Sequence, residues 1–178
     1  AAFDRPFQWM QHATFGPPFV EPGKTFFDVS ATQGLVAEGR PGAASLAPDT
    51  AVLWPSGRSA GGEKTDLRAF QTKEHSGTYY ALLLDPSRAT QFFTMYHSGY
   101  RVLIGYVFPS ATARWIADWQ ENRNNQFAPW NGQVVARGIE FGNSPFAEGL
   151  RKAVERGSLF DVPAFEWIAA GETRRIEY

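Results

Sequence analysis

Two positions in this sequence carry side chains able to trade protons from a strand. His12 closes the run Phe7-Gln8-Trp9-Met10-Gln11-His12 and is followed by Ala13-Thr14-Phe15-Gly16-Pro17-Pro18-Phe19. A strand ending in His beside a Gly-Pro-Pro turn presents an imidazole at the rim of a cleft, where it can give or take a proton near neutral pH. Glu140 stands between Ile139 and Phe141 in the run Val134 to Phe146. Turned into a partly enclosed site, such a carboxylate is suited to base catalysis. Turned outward, it is an ordinary solvated strand residue. The other histidines read as solvent-facing: His75 lies in the polar loop Gln71–Gly77, and His97 precedes the turn Ser98-Gly99.

A third segment, Trp115-Ile116-Ala117-Asp118-Trp119-Gln120-Glu121-Asn122-Arg123, is followed by Pro129-Trp130-Asn131-Gly132. Indole faces stack on the C–H face of a pyranose, and the amides and carboxylates between them bond hydroxyls. Strand alternation fits the same pattern equally well, with Trp in the core and polar residues in solvent. Asp118, Glu121 and Glu140 also supply the carboxylates that glycoside hydrolysis needs, if the fold brings two together. There is no glycine-rich phosphate loop, His-Glu-x-x-His zinc motif or Gly-x-Ser-x-Gly elbow. The absence of cysteine removes disulfides, thiolate metal sites and a cysteine nucleophile. It suits the cytosol without requiring it.

The elements that must position these residues are mostly β. Short β-rich runs recur between turn residues, at Phe7–His12, Thr25–Ser30, Ala51–Trp54, Thr78–Leu84, Gln91–His97, Tyr100–Phe108, Arg114–Glu121, Val134–Phe141, Ala164–Ile168 and Thr173–Tyr178. The three runs between Tyr79 and Phe108, separated by Asp85-Pro86-Ser87 and His97-Ser98-Gly99, read as one antiparallel meander. One short helix is expected over Phe146 to Arg156, ended by Gly157. Val36–Pro48 and Pro55–Gly62, rich in Gly, Ala, Pro and Ser, read as loops within one domain over residues 1–178.

With 43% hydrophobic and 20% charged residues, the chain has a globular balance. Its formal charge of −1 gathers into no block, which argues against nucleic acid or anionic lipid as a partner. No apolar stretch reaches the roughly 18 residues needed to cross a bilayer. The first residues lack the basic start and apolar run of a signal peptide and read as mature protein or a fragment.

Gln11 to Phe19 resembles the segment in which the galactose mutarotase-like superfamily, which includes the aldose 1-epimerases, places its general-acid histidine. Gly138 to Phe146 resembles the later segment bearing its general-base glutamate. Trp119-Gln120-Glu121-Asn122 and Phe165-Glu166-Trp167-Ile168 are similar to the later half of such a domain. The resemblance implies an antiparallel β-sandwich of the supersandwich type, here its C-terminal portion, with one or two short helices. It implies His12 and Glu140 as acid and base, with Trp119, Asn122 and Trp130 against a monosaccharide or oligosaccharide. No cofactor or metal is called for. Two positions of the family's first half, a histidine and an arginine, have no counterpart.

The function implied is interconversion of sugar anomers. The alternatives are a non-catalytic carbohydrate-binding module and an accessory domain of a glycoside-processing enzyme. His12 and Glu140 are expected on one concave surface, about one sugar ring apart. Sheet edges are expected to be covered by loops or by a second copy of the chain.

Overall fold

The structure, a computed structural model, describes residues 1–38 and 43–177. In chain order the elements are β1 (Arg5–Phe7), β2 (Met10–Phe15), β3 (Thr25–Val29), β4 (Ala31–Val36), β5 (Ala43–Ala44), β6 (Ala51–Leu53), β7 (Ser56–Arg58) and β8 (Lys64–Asp66). They continue with β9 (Ser76–Leu84), β10 (Thr90–His97), β11 (Val102–Pro109), β12 (Trp115–Asn122), β13 (Val135–Gly142), α1 (Leu150–Arg156), β14 (Ser158–Leu159), β15 (Val162–Pro163) and β16 (Glu166–Ile168).

The large sheet runs β2-β13-β12-β9-β4-β6-β7-β8, with β5 beside β9, and the small sheet runs β11-β10-β3. Every pairing within them is antiparallel except β5 with β9. The expected antiparallel sandwich is therefore the fold, and among the described residues it carries one helix.

The core lies between the two sheets. In β3, Thr25, Phe27 and Val29 are buried while Phe26 and Asp28 are exposed, the alternation of a sheet with one wet face. Phe27, Phe93, Met95 and Phe108 of the small sheet meet Tyr80, Leu82, Ile116, Ile139 and Phe141 of the large one. Phe141 anchors the contact, stacked on Phe108 at 5.0 Å between ring centroids and tilted against Phe93 at 5.7 Å.

Several sequence readings change. The meander is only half present: β10 and β11 pair, but β9 belongs to the large sheet. Asp85-Pro86-Ser87 carries the chain from one sheet to the other, with Asp85 accepting from the Ser87 amide and hydroxyl at 2.9 and 2.7 Å. The run Phe7–His12 breaks at Gln8-Trp9, where Asn143 Oδ1 accepts the Trp9 N–H at 2.8 Å in place of a strand neighbour. His12 is therefore mid-strand rather than at a strand end.

The helix begins at Leu150, because Gly149 takes φ 84° and Phe146 is buried against the Tyr79 ring. Pro55–Gly62 contributes β7 to a hairpin with β8 instead of forming a plain loop. Of the expected loop Val36–Pro48, residues 39–42 lie outside the described residues. Residues 173–177 form no strand, and 178 lies outside the described residues. The β3 edge is covered by the chain at 68–69, through Phe27 N–H to Arg68 C=O at 2.8 Å and a bridge from Phe26 to Ala69. Among the described residues, no helix is long and apolar enough to cross a membrane.

Candidate active site

Strand parity builds the site. In the register of β2, β13, β12 and β9, His12 faces Glu140, Thr14 faces Gly138, Gly138 faces Trp119, Ala136 faces Glu121, and Trp119 faces Tyr79. Side chains alternate along a strand, so these residues project together on the large-sheet face turned away from the core. Ile139, Phe141 and Tyr80 project the other way.

His12 and Glu140 touch. The imidazole Nε2 lies 3.0 Å from Glu140 Oε1, so the expected gap of one sugar ring is absent. Directly opposed residues on neighbouring strands are near enough for side chains of this length to meet. The carboxylate is nearly buried, with 7% of its side chain exposed against 42% for His12. Each partner is braced from behind. Tyr79 donates its hydroxyl to Glu140 Oε2 at 2.7 Å and accepts the Ala147 N–H at 2.8 Å. The Thr14 hydroxyl lies 2.7 Å from His12 Nδ1. A hydroxyl can donate to neutral imidazole or accept from imidazolium, so this contact serves either protonation state of His12.

Gly138 makes room for the pair. A Cβ there would lie 2.6 Å from His12 Cε1 and 3.0 Å from both His12 Nε2 and Trp119 Cε3. Any larger residue would push the imidazole or the indole off this face.

Beside the pair opens a cavity of about 580 Å³. His12, Thr14 and Glu140 line one part, Trp119, Phe127 and Trp130 form an aromatic wall, and Asn124, Asn125 and Glu121 add polar groups. Trp119 stands 6.4 Å from the His12 ring and 5.6 Å from Trp130, centroid to centroid. Glu121 holds the loop that carries Trp130: its buried carboxylate accepts the Asn124 and Asn125 amides and, at 2.7 Å, the Asn125 side chain.

Of the residues singled out in sequence, the structure brings His12, Glu140, Trp119 and Trp130 to one cavity. Asn122 is not among them. It is buried, and its amide donates to the Gln71 and Lys73 carbonyls at 3.3 and 3.0 Å. Thr14, Tyr79, Phe127 and Gly138 are residues of the site that sequence reasoning missed.

Asp118 is on the wrong face to pair with Glu140 or Glu121. It is fully buried with Arg137, whose Nη2 donates to it at 2.6 Å. Tyr80 and Gln120 donate to the same carboxylate. Arg137 also donates to the Leu67 and Arg68 carbonyls, both at 2.8 Å, and lies over the Phe27 ring. Burial and the adjacent Asp118 charge push the Tyr80 hydroxyl well above its ordinary pKa. Burial works against the charge on Arg137, and Asp118 and Tyr80 together more than offset it, so its pKa is raised.

His97 is buried, contrary to its expected exposure. It stacks on Tyr100 at 4.1 Å, and its Nδ1 accepts the Tyr100 N–H at 3.0 Å. His75 is exposed. Among the described residues, no group of three His, Asp or Glu gathers as a metal site.

No protein-family model matches this chain, and no curated protein sequence does. Among solved structures, a crystal structure described as a "putative aldose 1-epimerase", from Klebsiella pneumoniae subsp. pneumoniae MGH 78578, is similar in fold. The TM-score is 0.62 at 12% sequence identity, over 96% of this chain and 37% of that one. The chain thus spans little more than a third of that structure's length, and the β-sandwich described above is a fold like the one found there.

Proposed function

We propose that this chain interconverts the anomers of an aldose at the His12–Glu140 pair. The observation that carries the reading is the contact between an acid and a base in a cavity walled by aromatic rings. Both reacting oxygens of a cyclic sugar, the anomeric hydroxyl and the ring oxygen, are bonded to one carbon. Acid and base must therefore both reach oxygens on that one carbon, and two side chains that meet in the same cavity are close enough to do so.

Glu140 takes the proton of the anomeric hydroxyl as the C1=O bond forms and the bond from C1 to the ring oxygen breaks. His12 gives its proton to the departing ring oxygen. Rotation about C1–C2 and the reverse transfers close the ring to the other anomer. Tyr79 holds Oε2 of Glu140, so the anomeric proton goes to Oε1, the oxygen that meets His12 Nε2 at 3.0 Å and has a second lone pair to accept with. Every step moves a proton between oxygen and a side chain, so the chemistry calls for no cofactor.

The test follows freshly dissolved single anomers of glucose and galactose by polarimetry, with exchange NMR as a second readout. The expected result is equilibration in proportion to added protein. Sugar binding with no acceleration would replace this reading with that of a carbohydrate-binding module. Gly138→Ala should lower kcat about 10–100-fold, because displacing the imidazole by about 1 Å is costly for catalysis. KM should move much less, which steady-state kinetics on the folded variant will check.

A further inference from the structure

The cavity and its aromatic wall extend beyond the reacting pair. Its volume of about 580 Å³ lies in the range of about 300–1,000 Å³ typical of pockets that take a drug-sized ligand, a size that leaves room beside one pyranose. Ring contacts run outward in sequence, from His12 to Trp119 at 6.4 Å and from Trp119 to Trp130 at 5.6 Å. Phe127 follows on the same turn, its carbonyl accepting the Trp130 N–H at 2.9 Å.

The geometry points to a second sugar-ring subsite on Trp130 and Phe127, so that the ligand is the reducing end of an uncharged oligosaccharide. The orientation of that ligand rests on the anomer exchange assigned above to His12 and Glu140. Exchange needs a free hemiacetal at C1, so any further sugar is joined through another carbon and extends away from the pair. The aromatic wall extends in that same sense.

The loop is built to hold its rings in place. Glu121 clamps Asn124 and Asn125, Gln126 donates to the Arg123 carbonyl at 2.8 Å, and Gly132 N–H to Asn125 C=O at 2.8 Å. Phe127 stays 59% exposed on this braced loop, a flat apolar surface on a backbone that is already ordered. Among the described residues that line the cavity there is no Lys or Arg, and the charged groups besides His12 are the carboxylates Glu121 and Glu140. A phosphate or uronate would meet repulsion there and no counter-charge.

The experiment compares KM for anomer exchange of glucose and galactose with KM for cellobiose, maltose and lactose. At least one disaccharide should show a KM about tenfold lower than the monosaccharides, the worth of one aromatic contact. Phe127→Ala should raise that disaccharide KM about tenfold more than the monosaccharide KM. Equal KM values for all five sugars, or an equal effect of Phe127→Ala on both classes, would overturn the subsite while anomer exchange stands. If no sugar is exchanged, calorimetry with the same five decides. A disaccharide preference weakened by Phe127→Ala sustains the subsite although the catalytic reading falls, and no preference overturns it. Glucose 6-phosphate binding more tightly than glucose would overturn the uncharged class.

Discussion

Glu140→Gln lowers kcat for anomer exchange about 10²–10⁴-fold, because the amide keeps the shape of the side chain and cannot accept the anomeric proton. Its carbonyl can still accept from Tyr79, so the bracing behind the site survives. His12→Asn gives a loss of similar order by removing the donor to the ring oxygen. Sugar affinity changes far less in both, since these groups act mainly in the transition state. Saturation kinetics by polarimetry, paired with calorimetric binding, separate the two effects. His75→Asn is the control and leaves turnover nearly intact: His75 has φ 54°, a conformation Asn tolerates, and lies outside the cavity lining. His97 would be a poor control, because its burial and its bond to the Tyr100 amide make it structural. Turnover of Glu140→Gln equal to the unaltered protein would reject the catalytic reading.

Arg137→Met costs about 3–5 kcal/mol of stability, because it strands the Asp118 carboxylate in the core without its counter-charge. The double variant Asp118→Leu/Arg137→Met recovers a large part of that loss, since removing both charges also removes their desolvation cost. Urea unfolding of the three proteins measures this. A single-variant loss below about 1 kcal/mol would show that the pair is solvated in a way its full burial does not suggest.

The β class and most inner strands were legible because their residues alternate or run apolar between turns, as in Gln91 to His97 and Val134 to Phe141. β4 escaped because Ala31-Thr32-Gln33-Gly34 carries little β signal. What places it is the close approach of Gly34 to Ala81, where a Cβ would lie 2.1 Å from the carbonyl oxygen. The meander failed because a local pattern cannot say which of two sheets a strand joins.

Within the site, strand parity separates the residues. Trp119 and Asn122 are three residues apart in one strand and so must face opposite ways, which separates Asn122 from the cavity. By the same count Glu140 shares a face with Gly138, and Arg137 shares one with Ile139 and Phe141. The partners Tyr79 and Asp118 follow from strand order, which no single segment encodes.

β2 is an edge strand of the large sheet and, among the described residues, bonds within it only to β13. It brings His12, whereas Glu140, Trp119 and the loop of Trp130 belong to or spring from strands further in. Outer strands open at lower free energy than inner ones. On warming, the chain should therefore lose His12 while the aromatic wall is still assembled, so that, on the function proposed above, heat first turns a catalyst into a lectin and only later into an unfolded chain.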